Sequence, residues 1–189
     1  MFVEALKREL VIKGQAQAES LIEQEPGKWH VISIREPFHP EPVLANCLSI
    51  YSCVFEDVQT EAGNYGHGPK STHVESVLRA IERAKTGPLL VHCWAGRSRS
   101  TAIGLLLIVR ALWEQGIDGA SLVRDSVEIL LAIRPQAIPN SLVLRLGLQL
   151  IVPYSLAGAL SKNLLAHPGL VANRAQMLSS SYRDDDSAL

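Results

Sequence analysis

Leu89-Leu90-Val91-His92-Cys93-Trp94-Ala95-Gly96-Arg97-Ser98-Arg99-Ser100 is the stretch that decides how the chain reads. Leu89 to His92 is a short apolar run directly after Gly87-Pro88, the pattern of a buried strand that opens behind a breaker. Cys93 to Arg99 follows no apolar period. Beyond it Leu105, Ile108, Val109 and Leu112 share one helical face. The sequence therefore predicts a strand, a tight loop and a helix in immediate succession. Loops of this kind turn backbone N–H groups inward and form an anion nest, and the helix start adds its positive end. Gly96 allows a backbone conformation closed to residues with a Cβ, so the loop can close tightly. Arg99, six positions after Cys93, can offer two parallel N–H bonds to two oxygens of one tetrahedral dianion.

The same field acts on the cysteine. A thiol ringed by amides, a helix N-terminus and two arginines is expected as the thiolate, the form that attacks. At the base of a phosphate nest it is aimed at phosphorus, which points to covalent catalysis through a phosphocysteine.

Working outward, residues 14–25 space Ala18, Leu21 and Ile22 as a short amphipathic helix that Pro26-Gly27 ends. His30 to Ile34 is β-branched and reads as a buried strand, and Cys47 to Phe55 reads as another. The three prolines between Arg35 and Pro42 exclude helix and central strand. Residues 57–69, with Gly63, Gly66 and Gly68, form a loop of a length that is often functional. Thr72-His73-Val74-Glu75 has capping-box spacing ahead of a helix carrying Val74, Val77, Leu78 and Ile81. Downstream, Asp118 opens a helix broken at Arg134-Pro135, and Pro139-Asn140 opens another over 141–152. Strands alternating with helices predict an α/β fold, with a central, mostly parallel sheet of about four to five strands flanked by helices. Residues 1–171 are expected as one domain, and residues 172–189, with Ser179-Ser180-Ser181 and Asp184-Asp185-Asp186, as a disordered C-terminal tail with little to bury.

Composition excludes several classes. The chain has 189 residues, 47% hydrophobic and 20% charged, which is globular and too apolar for disorder. A net charge of -1 argues against nucleic acid as a partner. Three cysteines are too few for a disulfide scaffold, and the six histidines, at 30, 39, 67, 73, 92 and 167, have no zinc-ligand spacing, so no metal and no cofactor is expected. The most apolar run, Ala102 to Val109, is far short of a membrane span, and Met1-Phe2-Val3-Glu4 does not begin like an export signal. The expected location is cytoplasmic.

His92-Cys93, five residues, then Arg99-Ser100 resembles the signature loop of the cysteine-based protein tyrosine phosphatases, and its form with Ala95-Gly96-Arg97-Ser98 resembles the dual-specificity-like branch. The resemblance implies phosphomonoester hydrolysis, on phosphotyrosine of proteins, and on phosphoserine or phosphothreonine as well where the pocket is shallow. Cys93 would be the nucleophile and Arg99 the phosphate and transition-state clamp. Backbone amides of Trp94, Ala95, Gly96, Arg97, Ser98 and Arg99 would bind phosphoryl oxygens, Ser100 would assist thiolate departure, and His92 would orient the loop through hydrogen bonds. The family's general acid is an upstream aspartate. Asp57, 36 positions before Cys93, is the candidate, with Glu56 and Glu61 as neighbours able to take the role. Arg134 to Asn140 is similar to a segment of that branch whose Pro-Asn turn caps a helix behind the loop, so Asn140 is expected to be structural.

Other readings stay open at this level. A rhodanese-type sulfurtransferase also sets a cysteine in a loop before a helix. A non-catalytic phosphate-binding module would keep the nest without turnover. Arg97 adds a basic residue of the kind found in phosphoinositide and other non-protein phosphatases, although Trp94 stands where a lysine is common there. Cys47 and Cys53 are expected in the core, with a resolving role under oxidant as a secondary reading for Cys53.

Overall fold

Five strands and seven α-helices make up the computed structural model, which describes residues 1–61 and 66–186, with side chains described as far as residue 179. In chain order they are β1 (Phe2–Val3), β2 (Arg8–Gly14), α1 (Gln15–Gln24), β3 (His30–Arg35), β4 (Ser49–Val54), α2 (Ser71–Arg83), β5 (Leu89–Cys93), α3 (Arg99–Glu114), α4 (Gly119–Ile133), α5 (Ser141–Ile151), α6 (Tyr154–Leu165) and α7 (Pro168–Asp186). The sheet order is β1-β2-β5-β3-β4, and only the short β1 pairs antiparallel.

β5 is central and every residue of it is buried, which is why it reads as an uninterrupted apolar run. Alternation sorts its side chains. Leu89, Val91 and Cys93 join Leu10, Ile12, Ile32 and Ile34 in the larger core beneath α2, α3 and α5. Leu90 joins Ala18, Ile22, Trp29 and Val31 in a smaller core beneath α1. Cys93 therefore leaves the strand on the side of α3, at the carboxyl edge of a parallel sheet, where α/β folds bind ligands.

The described residues differ from the sequence reading in three places. The sequence reading assigns nothing to residues 2–13, yet β1 and β2 lie there. Arg8, Glu9 and Lys13 interrupt the apolar pattern of β2, which sends Leu10 and Ile12 into the main core and packs Val11 against the smaller one. Residues 172–186, expected within a disordered tail, belong to α7. The helix start is tied down: Leu170 is buried in the main core, and Asn173 Nδ2 donates to the carbonyls of Pro135 at 2.7 Å and Ala137 at 2.9 Å. The helix of residues 71–83 also begins earlier than its capping-box pattern suggests, because His73 Nδ1 accepts the Lys70 N–H. Among the described residues no helix is long and apolar enough to cross a membrane, and no group of three or more His, Cys, Asp or Glu side chains could hold a metal ion.

Candidate active site

The loop between β5 and α3 is held from outside through its carbonyls. Trp94 O accepts from Gln15 N (3.0 Å), Ala95 O from Arg134 Nη2 (3.2 Å) and Gly96 O from Arg134 Nε (2.9 Å). Arg97 O accepts from Ile138 N (2.7 Å) and Thr101 Oγ1 (2.6 Å), and Ser98 O from Asn140 N (3.2 Å) and Ala102 N (3.0 Å). The peptides are trans, so each C=O that points outward turns the following N–H the other way. Five consecutive amides, Ala95 to Arg99, are thereby turned toward the interior of the loop, above Cys93. Gly96 has φ of 66°, and a Cβ there would strike the backbone of Lys13 and Gly14, so the loop lies directly on the end of β2.

Cys93 is buried, and its Sγ lies 3.2 Å from the hydroxyl of Ser100 in the first turn of α3. His92 is buried on the opposite face, beside Ser33 of the neighbouring strand. Burial pushes its pKa down to about 4, a shift partly offset by the Cys93 backbone and by the Glu19 charge. Neither ring nitrogen of His92 has a hydrogen-bond partner, nor does Ser33 Oγ. The Cys93 backbone acts on this ring, so His92 stays in touch with the loop it was expected to orient. Its imidazole is neutral and buried, and Arg134 and the backbone of residues 15, 138 and 140 hold the loop carbonyls.

Arg99 is also buried. Its Nη1 donates to Phe55 O at 3.0 Å, and its Nη2 pairs with Glu36 Oε1 at 2.8 Å. Its Nε has no hydrogen-bond partner and faces Asp57 Oδ2 at 3.7 Å. Asp57 lies just beyond β4, and its Oδ1 accepts from three side chains: Asn140 Nδ2 (2.6 Å), Ser98 Oγ (2.7 Å) and Gln59 Nε2 (3.1 Å). Oδ2 is left facing the guanidinium. Glu61 is drawn away from the loop by Arg145, at 2.6 Å. Among the described residues Glu56 makes no ion pair or side-chain hydrogen bond, and its backbone N–H donates to His67 O.

Asn140 does two jobs. Its Oδ1 accepts the Val143 N–H at 2.8 Å, the N-cap bond of α5, while its Nδ2 holds Asp57 and the Val58 carbonyl (3.0 Å). Gln59 reinforces the junction, since Ser141 donates to it from both N (3.0 Å, to Oε1) and Oγ (2.6 Å, to O). Trp94 is half exposed at the loop edge, and the His39 ring sits on it at 4.4 Å between centroids. His39 in turn approaches Glu36 at 3.6 Å. Arg97, Arg99 and Arg134 concentrate positive charge around the loop, and burial together with Arg97 lowers the Arg134 pKa from its ordinary value. Cys53 is buried on β4 with its thiol pushed up to about 11 by burial, so it is a poor nucleophile.

The structure thus brings Cys93, Ser100, Arg99, Asp57 and Asn140 to one place. Sequence reasoning missed Glu36, Gln59 and Arg134. Glu36 and Gln59 lie in segments without periodicity, and nothing local marks them. Arg134 was visible as the residue before a helix-breaking proline and as the start of the segment resembling the dual-specificity-like branch, but its contacts to the loop were not.

This arrangement has the fold of the dual-specificity-like branch of the cysteine-dependent tyrosine phosphatase superfamily. Human DUSP28 is 19% identical, with a TM-score of 0.53 over 90% of this chain and 97% of its own. A mouse protein of the dual specificity phosphatase type, complexed with zinc tungstate, is 25% identical with a TM-score of 0.55 over 85% and 89%. DUSP15 is 22% identical with a TM-score of 0.51 over 85% and 93%. No protein-family model and no curated protein sequence matches the chain.

Proposed function

We propose that this protein is a phosphatase that hydrolyses phosphomonoesters through a phosphocysteine on Cys93. The observation that carries the reading is the cradle: five outward carbonyls, each with a partner, around the single buried thiol at the end of β5. In this reading the inward amides and Arg99 bind three phosphoryl oxygens. Cys93 Sγ forms the S–P bond as the P–O bond to the leaving group breaks, and Asp57 gives its proton to the departing oxygen. Water then attacks phosphorus, its proton goes to Asp57, and the S–P bond breaks with the Ser100 hydroxyl hydrogen-bonded to the departing sulfur. Glu36 and the Phe55 carbonyl keep the guanidinium fixed before phosphate arrives, so its orientation is preorganised.

Phosphorylated protein is the preferred substrate class. The half-exposed Trp94 with the His39 ring gives one wall suited to an aryl group, which favours phosphotyrosine. The test measures phosphate release from a phosphotyrosine peptide, a phosphothreonine peptide and a phosphoinositide. It is paired with acid-quench trapping of labelled phosphate on Cys93. Cys93→Ser should reduce turnover to background while the folded protein still binds tungstate. Turnover retained by that variant refutes the nucleophile assignment. Binding of phosphopeptide without any phosphate release by the parent protein makes it a binding module, and preferential turnover of the phosphoinositide overturns the protein-substrate reading.

A further inference from the structure

A cavity far from Cys93 along the chain is bounded by the end of α3, the first half of α4, the end of α5 and α6. Its volume is about 560 Å³, within the range of sites that enclose small ligands, roughly 300–1,000 Å³. Its floor and walls are hydrocarbon: Leu122 and Val152 are buried, and Trp113, Val123, Leu156 and Leu160 complete them. None of these residues takes part in the loop or the acid network described above.

The polar side chains lining it carry no negative charge. Arg124, Asn163 and His167 can all present N–H donors, and no aspartate or glutamate lines the cavity. Arg124 and Asn163 are exposed, so they stand at the mouth and not on the floor. Arg124 uses its Nε on Asp125 at 2.8 Å, which leaves its two terminal nitrogens without a partner among the described residues. His167 Nδ1 accepts the Gly169 N–H at 3.3 Å, which leaves Nε2 as the ring nitrogen that donates. The first residues of α4, Gly119 and Ala120, line the same cavity and add the positive end of a 15-residue helix.

The geometry points to a binding site for a carboxylate with a single hydrocarbon tail, the tail against Leu122, Val152 and Leu160 and the head at Arg124 and His167. An apolar cavity alone would accept any oily group. The donors at the mouth, with no acid lining the cavity, select a negative head. This site is independent of the phosphatase reading, and its test does not use turnover as the primary readout.

Titration calorimetry of the full chain with decanoate, below micelle formation, measures the affinity, with decyltrimethylammonium and methyl decanoate as charge-reversed and neutral probes of similar tail. Saturable one-to-one binding of decanoate is expected, at least tenfold tighter than either other probe. Ala159→Trp, which fills the cavity from α6, should abolish binding. Arg124→Glu, on the exposed mouth, should weaken decanoate about tenfold and leave phosphate-ester turnover unchanged. Shifts of amide resonances in 119–124 and 156–167 should locate the ligand. Absence of saturable decanoate binding overturns the proposal, as does equal affinity for the three probes. So do undiminished binding by a folded Ala159→Trp variant, and resonance shifts confined to the Cys93 loop.

Discussion

The nucleophile loop and the acid loop face each other across one site and are built in opposite ways. The first is five consecutive residues, Trp94 to Ser98, between a central strand and a helix, and the geometry of its amides follows from that local order. The second is a junction of distant segments: Glu36 after β3, Asp57 and Gln59 after β4, Ser98 at the start of α3, and Asn140 before α5. Anion binding can be encoded in a short motif, because backbone N–H groups are supplied by any residue once the turn is right. Placing one carboxylate oxygen opposite an arginine needs side chains from several elements, and no short motif encodes that.

The largest test of this contrast is Asp57→Asn. Asparagine can keep the Oδ1 contacts but has no acidic proton to give, so turnover of a phosphotyrosine peptide should fall by about 10²–10⁴-fold. An activated ester such as p-nitrophenyl phosphate, whose leaving group needs less protonation, should lose much less. Equal losses on both esters would mean that Asp57 acts as scaffold and the proton comes from elsewhere.

His92 tests the loop from behind. Its pKa is pushed down to about 4 from the ordinary value of 6.5, so between those values the unfolded chain binds a proton that the folded chain refuses. Stability is unaffected by this group above 6.5, falls as the pH drops from 6.5 toward 4, and levels off below. The loss is on the order of 3 kcal/mol. Urea unfolding at a series of pH values should show that decline in the parent protein, and His92→Gln should remove this part of it. An identical acid slope in the variant would mean that His92 titrates normally in the folded state.

Legibility followed the same division. β5, the loop and α3 were readable because each has a strong local pattern, and the parallel sheet followed from alternating elements. β2 was not, since a strand whose two main-core residues sit among Arg8, Glu9 and Lys13 shows its apolar face only once β5 lies beside it. The Asn140 cap was readable from Pro139-Asn140, but its second hydrogen bond, to Asp57, spans 83 residues and leaves no sequence period. The start of α7 is held by the Leu170 and Asn173 contacts to the rest of the fold, not by its own amphipathicity. Its composition alone suggested a tail.

Asn140→Ala should therefore cost on two accounts. Loss of the N-cap bond to Val143 is worth about 1 kcal/mol, with a range of roughly 0.5–2. Release of Asp57 Oδ1 and the Val58 carbonyl should lower kcat more than it raises KM. Asn140→Asp keeps the cap oxygen but sets a second carboxylate against Asp57, so it should restore the thermal midpoint and not kcat. If both variants lose stability and keep kcat, the link between cap and acid loop is incidental.

The smallest expected effect is at Glu61, and it separates Asp57 from one of its two rival candidate acids. Its side chain is largely exposed and paired with Arg145 at 2.6 Å, and exposed ion pairs contribute about 0–1 kcal/mol. Removing the charge with Glu61→Gln should leave turnover of the phosphotyrosine peptide within about twofold and the thermal midpoint nearly unchanged. It should also leave the basic limb of the pH–rate profile where it was, because a proton donor supplied by Asp57 is untouched. The decisive reading is the pairing with Asp57→Asn. If Glu61→Gln shifts that limb or costs the slow ester far more than the activated one, the acid is Glu61. The dense contacts around Asp57 Oδ1 would then serve only to pin the loop against α5.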